Sequence, residues 1–270
     1  KAYGETGGTY YVTIGELGIK WLRDTGEKFE EMRFFEVGTG HIPIVPVGLF
    51  LSGAKMVVTV DLYRRIDWSL TRESLKWIAS NRNQVWELYN GIVSENIFND
   101  RFAILMCLAN KPKKFFEEAR IKYLAPMDAA ATNLPEQSVD CHFSVTTLEH
   151  IPSKSLYKIF KEAKRILKQG GVAIHFVDLS DHFQHQDNSI TRINFLRFSD
   201  DEWQRLAGNE FAYCNRLRAS DYFSIFQKLG FTIARHEIEV DKESMLCLKN
   251  KKFLLYNKFA LYKPEDICTR

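Results

Sequence analysis

Residues 34–41 read Phe34-Phe35-Glu36-Val37-Gly38-Thr39-Gly40-His41, and residues 57–61 read Val57-Val58-Thr59-Val60-Asp61. The first apolar run ends in an acid and two alternating glycines, and the second ends in an aspartate. Glycine lets the backbone turn sharply after a strand and approach a ligand closely, because it has no Cβ. An acid about 20 residues further on, at the tip of the next strand, is placed to bind a ribose diol. The two stretches therefore predict a ribose-bearing cofactor at the carboxyl ends of parallel strands.

The glycine spacing helps to decide which cofactor this is. A dinucleotide site has the pattern G-x-G-x-x-G, and its third glycine is replaced here by Pro43. The acid-x-G-x-G pattern instead resembles the first motif of the class I S-adenosylmethionine (SAM) methyltransferases. That cofactor has an ammonium group for nearby acids to meet and no phosphate. Where the family often has a further glycine, this chain has Ile42.

The resemblance continues downstream, in the order that the family shows. Residues 123–130 (YLAPMDAA) look like its third strand, and residues 134–145 (LPEQSVDCHFSV) look like its fourth-strand motif. Residues 148–152 (LEHIP) are similar to the segment that follows, and residues 162–174 (EAKRILKQGGVAI) resemble a helix, a glycine turn and the fifth strand. Together these signals cover roughly residues 30–180, which is most of one α/β domain.

The resemblance implies a single domain over residues 1–270 that binds SAM and releases S-adenosylhomocysteine (SAH). The implied fold is a doubly wound, seven-stranded, mostly parallel α/β sheet of the Rossmann-like kind. Within it, an acid after strand three meets the adenine. The predicted cofactor-binding residues are Glu36, Gly38, Thr39, Gly40, Asp61, Leu62, Asp128, Ala129 and Thr146.

Other segments differ from a regular alternation of strands and helices. We expect helices at 15–30, 44–52 and 220–229, and a helical insertion at 62–122 between strands two and three, because connections in such sheets are normally short. The insertion either covers the site or packs as a surface appendage. Residues 179–219 form a predicted acceptor loop. Phe231–Val240 and Lys252–Tyr262 alternate enough to predict a closing antiparallel pair.

The region after strands four and five carries the candidate acceptor chemistry. An alcohol is a poor nucleophile at neutral pH, so a base should take its proton during methyl transfer. Histidine titrates nearest to neutrality, and a neighbouring acid can orient its ring. The predicted catalytic residues are His182, His150 and His185, although each can equally be an ordinary loop or structural histidine. The predicted substrate-binding residues are Asp178, Asp181, Arg197, Asn215, Arg216 and Arg218.

A metal is the alternative interpretation of the same region. Two histidines and several carboxylates suit a transition metal, but His-x-x-His-x-Asp on a loop is a loose pattern. We therefore expect no metal here. The arginines, asparagines and aromatic rings of 194–199 and 213–218 suit a sugar or an anionic acceptor, and can also form an ordinary surface loop.

Composition and charge argue against some classes of protein and some locations. The net charge of +3 is too small to argue for nucleic acid, and no run of 18 apolar residues predicts a membrane span. Five scattered cysteines without a C-x-x-C pair suit a reducing compartment, so we expect a cytoplasmic protein. The chain begins at Lys1, and we expect that its natural N-terminus precedes that residue. The sequence leaves the oligomeric state open.

Taken together, these patterns predict a methyltransferase that acts on an oxygen. The long polar loop looks like that of bacterial enzymes that modify surface glycans, so the predicted acceptor is a sugar or glycan hydroxyl. A small secondary metabolite is the alternative acceptor. A nucleotide-binding module without catalysis is the alternative from a different class, and a dehydrogenase is disfavoured by Pro43.

Overall fold

The structure is a computed structural model that describes residues 30, 32–209, 212–250 and 253–270. The helix predicted at 15–30 therefore lies outside the described residues, apart from its last position. The chain divides into two compact units. The first contains the described residues up to Val145 together with Glu162–Phe176, and the second contains Thr146–Lys161 and Val177–Arg270.

A parallel sheet of five strands forms the centre of the first unit, in the order β3-β2-β1-β4-β5. The chain moves outward from β1 to β3 and then returns to place β4 on the other side of β1. This reversal puts a topological switch point at the carboxyl ends of β1 and β4, where open α/β sheets bind ligands. The strands are β1 Arg33–Val37, β2 Met56–Val60, β3 Ile121–Leu124, β4 Val139–Val145 and β5 Leu167–Phe176.

The first helix follows the glycine loop and is buried along its whole length. A helix that is apolar on all sides belongs inside a core, and this one fixes the end of the loop that precedes it. Four more helices lie between β2 and β3, in the segment 62–122. The five helices are α1 Ile44–Leu51, α2 Trp68–Ser80, α3 Arg82–Tyr89, α4 Glu95–Leu108 and α5 Pro112–Glu118.

Local signals explain where these helices begin. The Asp67 side chain accepts from the backbone N–H groups of Ser69 and Leu70 and caps α2, and Ser94 caps α4 in the same way. Pro112 occupies the first turn of α5, where its missing N–H costs nothing. Aromatic residues of these helices lie in the same core as the buried side chains of β1 and α1. The four helices are thus part of the first unit's core.

The second unit is mainly helical. Helix α6 (Ser153–Ile166) starts in it and runs into the segment that leads to β5. Its other helices are α7 Asp200–Ala207, α8 Ala219–Lys228, α9 Lys242–Lys249 and α10 Pro264–Ile267, with short 3₁₀ turns at Leu148–His150, His182–His185, Asn194–Arg197 and Asn257–Phe259. Trp203, Phe195 and Phe259 lie in its apolar core together with Cys214 and Cys268.

The predicted closing pair of strands is not formed in the described residues. Residues 231–239 have no regular secondary structure, and Val240 makes an isolated bridge to Thr269. Most side chains of this segment are exposed. Alternation stabilises a strand only when one face is buried against a partner, so here the pattern has no packing to support it. The described sheet therefore has five strands where seven were predicted.

Candidate active site

Four side chains and the glycine loop form one hydrogen-bonded network at the carboxyl ends of β1 and β2. Thr59 Oγ1 donates to Glu36 Oε2 at 2.5 Å and lies 2.5 Å from Thr39 Oγ1. The Gly40 N–H donates to Asp61 Oδ1 at 3.3 Å. The loop that joins the two strand ends is thereby tied to both predicted acids.

The two loop glycines have the backbone that the turn requires. Gly38 and Gly40 have φ values of 88° and 71°, a backbone region that residues other than glycine rarely adopt. A Cβ placed on Gly40 would meet no atom within 4 Å. The backbone here therefore faces open space that a ligand can use, and an acid on each side of it suits a ligand with an ammonium group and a diol.

Burial dominates the electrostatics of this network. It raises the pKa of Glu36 to about 8, against the hydrogen bond from Thr59, and the nearby Asp61 charge raises it further. Burial also raises the pKa of Asp61, while bonds from Gly40 and Tyr123 oppose that shift. Glu36 is 1% exposed and Asp61 9% exposed. Both acids are held out of water in the free protein, which is costly unless a ligand or proton meets the charge.

Thr59 and Tyr123 belong to the network although the sequence reasoning did not single them out. Thr59 pairs with Glu36 across β1 and β2 and with Tyr123 across β2 and β3. Tyr123 Oη donates to Asp61 Oδ2 at 3.2 Å. The sequence itself offered only a threonine in a valine-rich strand, because the register that places Thr59 opposite Glu36 is seen only in the structure.

The other predicted cofactor residues follow β2, β3 and β4. Leu62 comes directly after Asp61 and is 57% exposed. Asp128 is exposed and its Oδ1 accepts from the Ala130 N–H at 2.8 Å, while Ala129 is buried. Thr146 follows β4 directly and has a φ of 42°.

The three predicted catalytic histidines lie together within the second unit. The ring centroids of His150 and His182 are 5.0 Å apart, and those of His182 and His185 are 5.2 Å apart. Asp178 Oδ2 lies 3.5 Å from His182 Nε2 and 3.6 Å from His185 Nε2. The structure thus brings the three predicted histidines together, and their catalytic role stays a prediction.

The environments of these rings differ. Burial works to lower the pKa of His182, but Asp178 and Cys214 outweigh it and raise that pKa to about 10. Burial opposes ionisation of Asp178 as well, yet His182 and Ser180 hold its pKa well below the ordinary range. Burial lowers the pKa of His150. The side chain of His185 is 47% exposed and that of His182 is 27% exposed, and His150 is exposed as well.

Four of the six predicted substrate-binding side chains are engaged inside the second unit. Arg218 is fully buried and donates to the carbonyls of Asp266, Leu179 and Thr269 at 2.6–3.1 Å. Arg216 donates to two backbone carbonyls and pairs with Asp200. Such arginines hold loops together, because their donors are already used.

Asn215 and Asp181 have similar internal contacts. Asn215 Nδ2 donates to the carbonyls of Leu148 and Ile151 at 2.8 and 2.9 Å. Asp181 is fully buried and caps the 3₁₀ turn at His182–His185. Arg197 is exposed, so of the six predicted substrate residues it is the one whose side chain is open to solvent. Asp178 is 25% exposed, and Ser180 and two histidines already contact its carboxylate.

Two residues that the sequence reasoning did not choose complete this region. Cys214 lies 3% exposed beside the histidines, and its carbonyl accepts from Trp203 Nε1 at 2.9 Å. Glu149 is 2% exposed, and neither of its carboxylate oxygens has a hydrogen-bond partner among the described residues. Burial raises the pKa of Glu149 to about 8. The sequence could have pointed to Glu149, because it directly precedes His150. Nothing in the sequence pointed to Cys214.

Comparison with known proteins gives one family match. Residues 103–175, which are 73 of the 270 residues, match a family model described as a methyltransferase domain. The match runs from α4 to β5 and does not include the glycine loop. None of the curated proteins compared with the chain matches it.

Solved structures of similar fold include the PH0226 protein from Pyrococcus horikoshii OT3 (16% identity, 86% of each chain covered, TM-score 0.49). Another is magnesium protoporphyrin IX methyltransferase from Synechocystis PCC 6803 with bound SAH (13% identity, 86% of this chain and 77% of that chain, TM-score 0.48). A third is geranyl diphosphate C-methyltransferase from Streptomyces coelicolor A3(2) (12% identity, 83% and 63%, TM-score 0.44). Because each TM-score is below 0.5, none of the three bears on this chain's function.

The fold and the network around Glu36 and Asp61 define an α/β protein with an open glycine loop between two buried acids at its strand ends. The match over residues 103–175 supports the predicted enzyme class, a SAM-dependent methyltransferase. The predicted enzyme class and cofactor are thereby confirmed, and the dehydrogenase and the non-catalytic module are set aside. Among the described residues, no helix is long and apolar enough to cross a membrane.

Proposed function

We propose that this protein transfers a methyl group from SAM to a hydroxyl oxygen of a sugar or glycan. The observation that carries the methyl transfer is the network that joins Glu36, Gly40 and Asp61 around an open glycine backbone. The sugar acceptor is supported by the polar histidine cluster of the second unit and by the partly exposed Asp178 and the exposed Arg197. Five free cysteines support a reducing location, and we assign the protein to the cytoplasm.

Each part of the cofactor has a proposed partner. Asp61 accepts from the ribose diol, and Glu36 with the loop Gly38-Thr39-Gly40 meets the ammonium end. Leu62 offers an exposed apolar side chain to the adenine, and Asp128 and Ala129 lie at its edge. Thr146, directly after β4, completes the set. When bound, SAM supplies a methyl group on a sulfonium, which needs only a nucleophile aligned with the carbon–sulfur bond.

His185 is the proposed general base. Its ring is accessible, and Asp178 Oδ2 and Ser180 Oγ lie 3.6 and 3.4 Å from its Nε2, so they can orient it. His182 was predicted first, but it is ion-paired with Asp178 and packed between the other two rings. We propose that His182 and His150 shape the site and that His185 accepts the hydroxyl proton.

Mass spectrometry of a panel of sugars, glycans and small phenols, incubated with methyl-labelled SAM, tests the acceptor. We expect the label on a sugar oxygen. If the label appears only on a phenol or another small metabolite, the acceptor belongs to the alternative class and not to the sugars. No label on any hydroxyl, with SAH still bound, would refute O-methylation.

A matched pair of variants tests the base. His185→Ala should lower kcat by about 10²–10⁴-fold, the range of general-base catalysis, and leave SAH affinity unchanged. His236→Ala removes an exposed histidine of the same unit and should change neither. Equal kcat in wild type and His185→Ala would exclude His185 as the base.

A further inference from the structure

Three potential metal ligands from separate segments meet in the second unit. They are His150 at the end of the turn Leu148–His150, His182 in the turn His182–His185, and Cys214. One ring nitrogen of each histidine and the Cys214 Sγ lie within 4.8 Å of one another. The ligand edges of a tetrahedral zinc site are about 3.5 Å, given bonds of 2.0–2.3 Å, so small side-chain rotations close the site.

The backbone around these residues is already fixed. His150 Nδ1 donates to the Tyr213 carbonyl at 2.8 Å, so the lone pair of this ring is on Nε2. The Asn215 N–H donates to the Glu149 carbonyl at 2.8 Å and ties the segment after Cys214 to the turn that carries His150. The Trp203 indole holds the Cys214 carbonyl. The three donors are therefore held in place without a ligand, as in preorganised metal sites.

A buried acid lies next to this cluster in the chain. Glu149, which directly precedes His150, is 2% exposed, and neither of its carboxylate oxygens has a hydrogen-bond partner among the described residues. A buried carboxylate without a partner is costly. A metal ion at the neighbouring cluster would give this acid a positively charged neighbour.

We propose that His150, His182 and Cys214 bind a zinc ion, whereas the sequence predicted no metal here. Two imidazoles and a thiolate suit zinc, whereas magnesium prefers oxygen ligands. Three protein ligands leave the fourth position open, as in catalytic zinc sites. At that position the zinc would bind the acceptor hydroxyl and lower its pKa, so that His185 would take the proton more readily. Only this last role rests on the proposed function, since metal binding does not require it.

The test begins with metal binding rather than activity. The full chain is dialysed against a chelator and titrated with zinc and with cobalt(II). We expect one metal per chain, and a cobalt(II) spectrum with tetrahedral bands and a thiolate charge-transfer band. Cys214→Ser and His150→Ala should weaken binding by about 100-fold or more. Cys107→Ser and His236→Ala, which change exposed residues, should bind as wild type does.

Two further measurements separate the possible outcomes. X-ray absorption of the zinc-loaded wild type should show one sulfur and two nitrogen ligands. This measurement uses only the wild type, so it does not depend on whether a variant folds. SAH calorimetry on the metal-free protein should still show binding, so that failure of the metal proposal is distinct from failure of the cofactor assignment. Less than stoichiometric metal, a spectrum without the thiolate band, or full binding by Cys214→Ser would overturn the zinc site.

Discussion

Replacing Asp61 by asparagine separates cofactor binding from the stability of the fold. In the free protein, Asp61 accepts from the Gly40 N–H and from the Tyr123 hydroxyl. Asparagine has the same shape: its oxygen can still accept from Gly40, and its amide can donate to the Tyr123 oxygen, which also accepts. The local network therefore survives in Asp61→Asn.

The affinity for SAH should fall while the stability does not. The amide offers the ribose diol one acceptor fewer and no charge, and a hydrogen bond to a charged group contributes about 1.5–3 kcal/mol. Dividing by 1.4 kcal/mol per decade gives a loss of about 10- to 150-fold in affinity. Because burial raises the pKa of Asp61, the ionised acid is disfavoured in the free protein. The free energy of unfolding of Asp61→Asn should thus equal or exceed that of wild type.

Calorimetric titration with SAH and urea denaturation without ligand measure the two quantities. Asp100→Asn is the control, because it makes the same chemical change at an exposed position of α4 and should alter neither. An affinity within threefold of wild type would refute the assignment of Asp61 to the diol. Loss of both affinity and stability would mean that the charge holds the loop and not the ligand.

Three further predictions concern charge and motion in the first unit. Arg165 and Thr132 lower the pKa of Glu162 to about 2, so its stabilisation is present above the ordinary carboxyl pKa near 4.5 and is lost as pH falls towards 2. Glu162→Gln should lower the free energy of unfolding by about 1–2 kcal/mol at pH 7, a figure already reduced for solvent screening, and by less at pH 3. Urea denaturation at the two pH values measures this, and an equal loss at both would exclude the pH linkage. Burial raises the pKa of Glu36 to about 8, and its ionised form is the proposed partner of the cofactor ammonium, so SAH affinity should increase from pH 6 to 8 in wild type. The same increase in Glu36→Gln would contradict this. If the helical segment 62–122 closes over the cofactor, its hydrogen exchange should slow when SAH binds. Identical exchange in the free and SAH-bound protein would mean that the segment only packs against the sheet.

The sequence indicated the sheet and the cofactor better than it indicated the second unit. Parallel strands buried on both faces appear as continuous apolar runs, so β1, β2 and β4 were recognisable, and so were the acids at their ends. The threonine opposite Glu36 needed the register between β1 and β2, which one sequence does not contain. Phe231–Val240 has strand-like alternation but no buried face, and only tertiary packing decides that.

The arginines and the cysteine show a different limit. Arg216 and Arg218 suited an anionic acceptor by composition, but their donors are used by backbone carbonyls brought in from distant parts of the chain. Cys214 lies in an apolar core cluster, as expected of a buried cysteine, and also beside two histidines that are 32 and 64 positions away. Such meetings depend on long-range topology, for which local patterns carry no signal.

The long connection before β3 has a consequence for how the site is assembled. Eighteen residues (38–55) separate β1 from β2, whereas sixty residues (61–120) separate β2 from β3. Closing the longer loop costs about 1 kcal/mol more in chain entropy, unless local helices shorten the effective loop first. Folding of α2–α5 is thus coupled to the docking of β3, the strand that brings the Tyr123 hydroxyl to Asp61. Substitutions deep in these helices should therefore slow the assembly of the network around Asp61, although they lie far along the chain from Glu36 and Asp61.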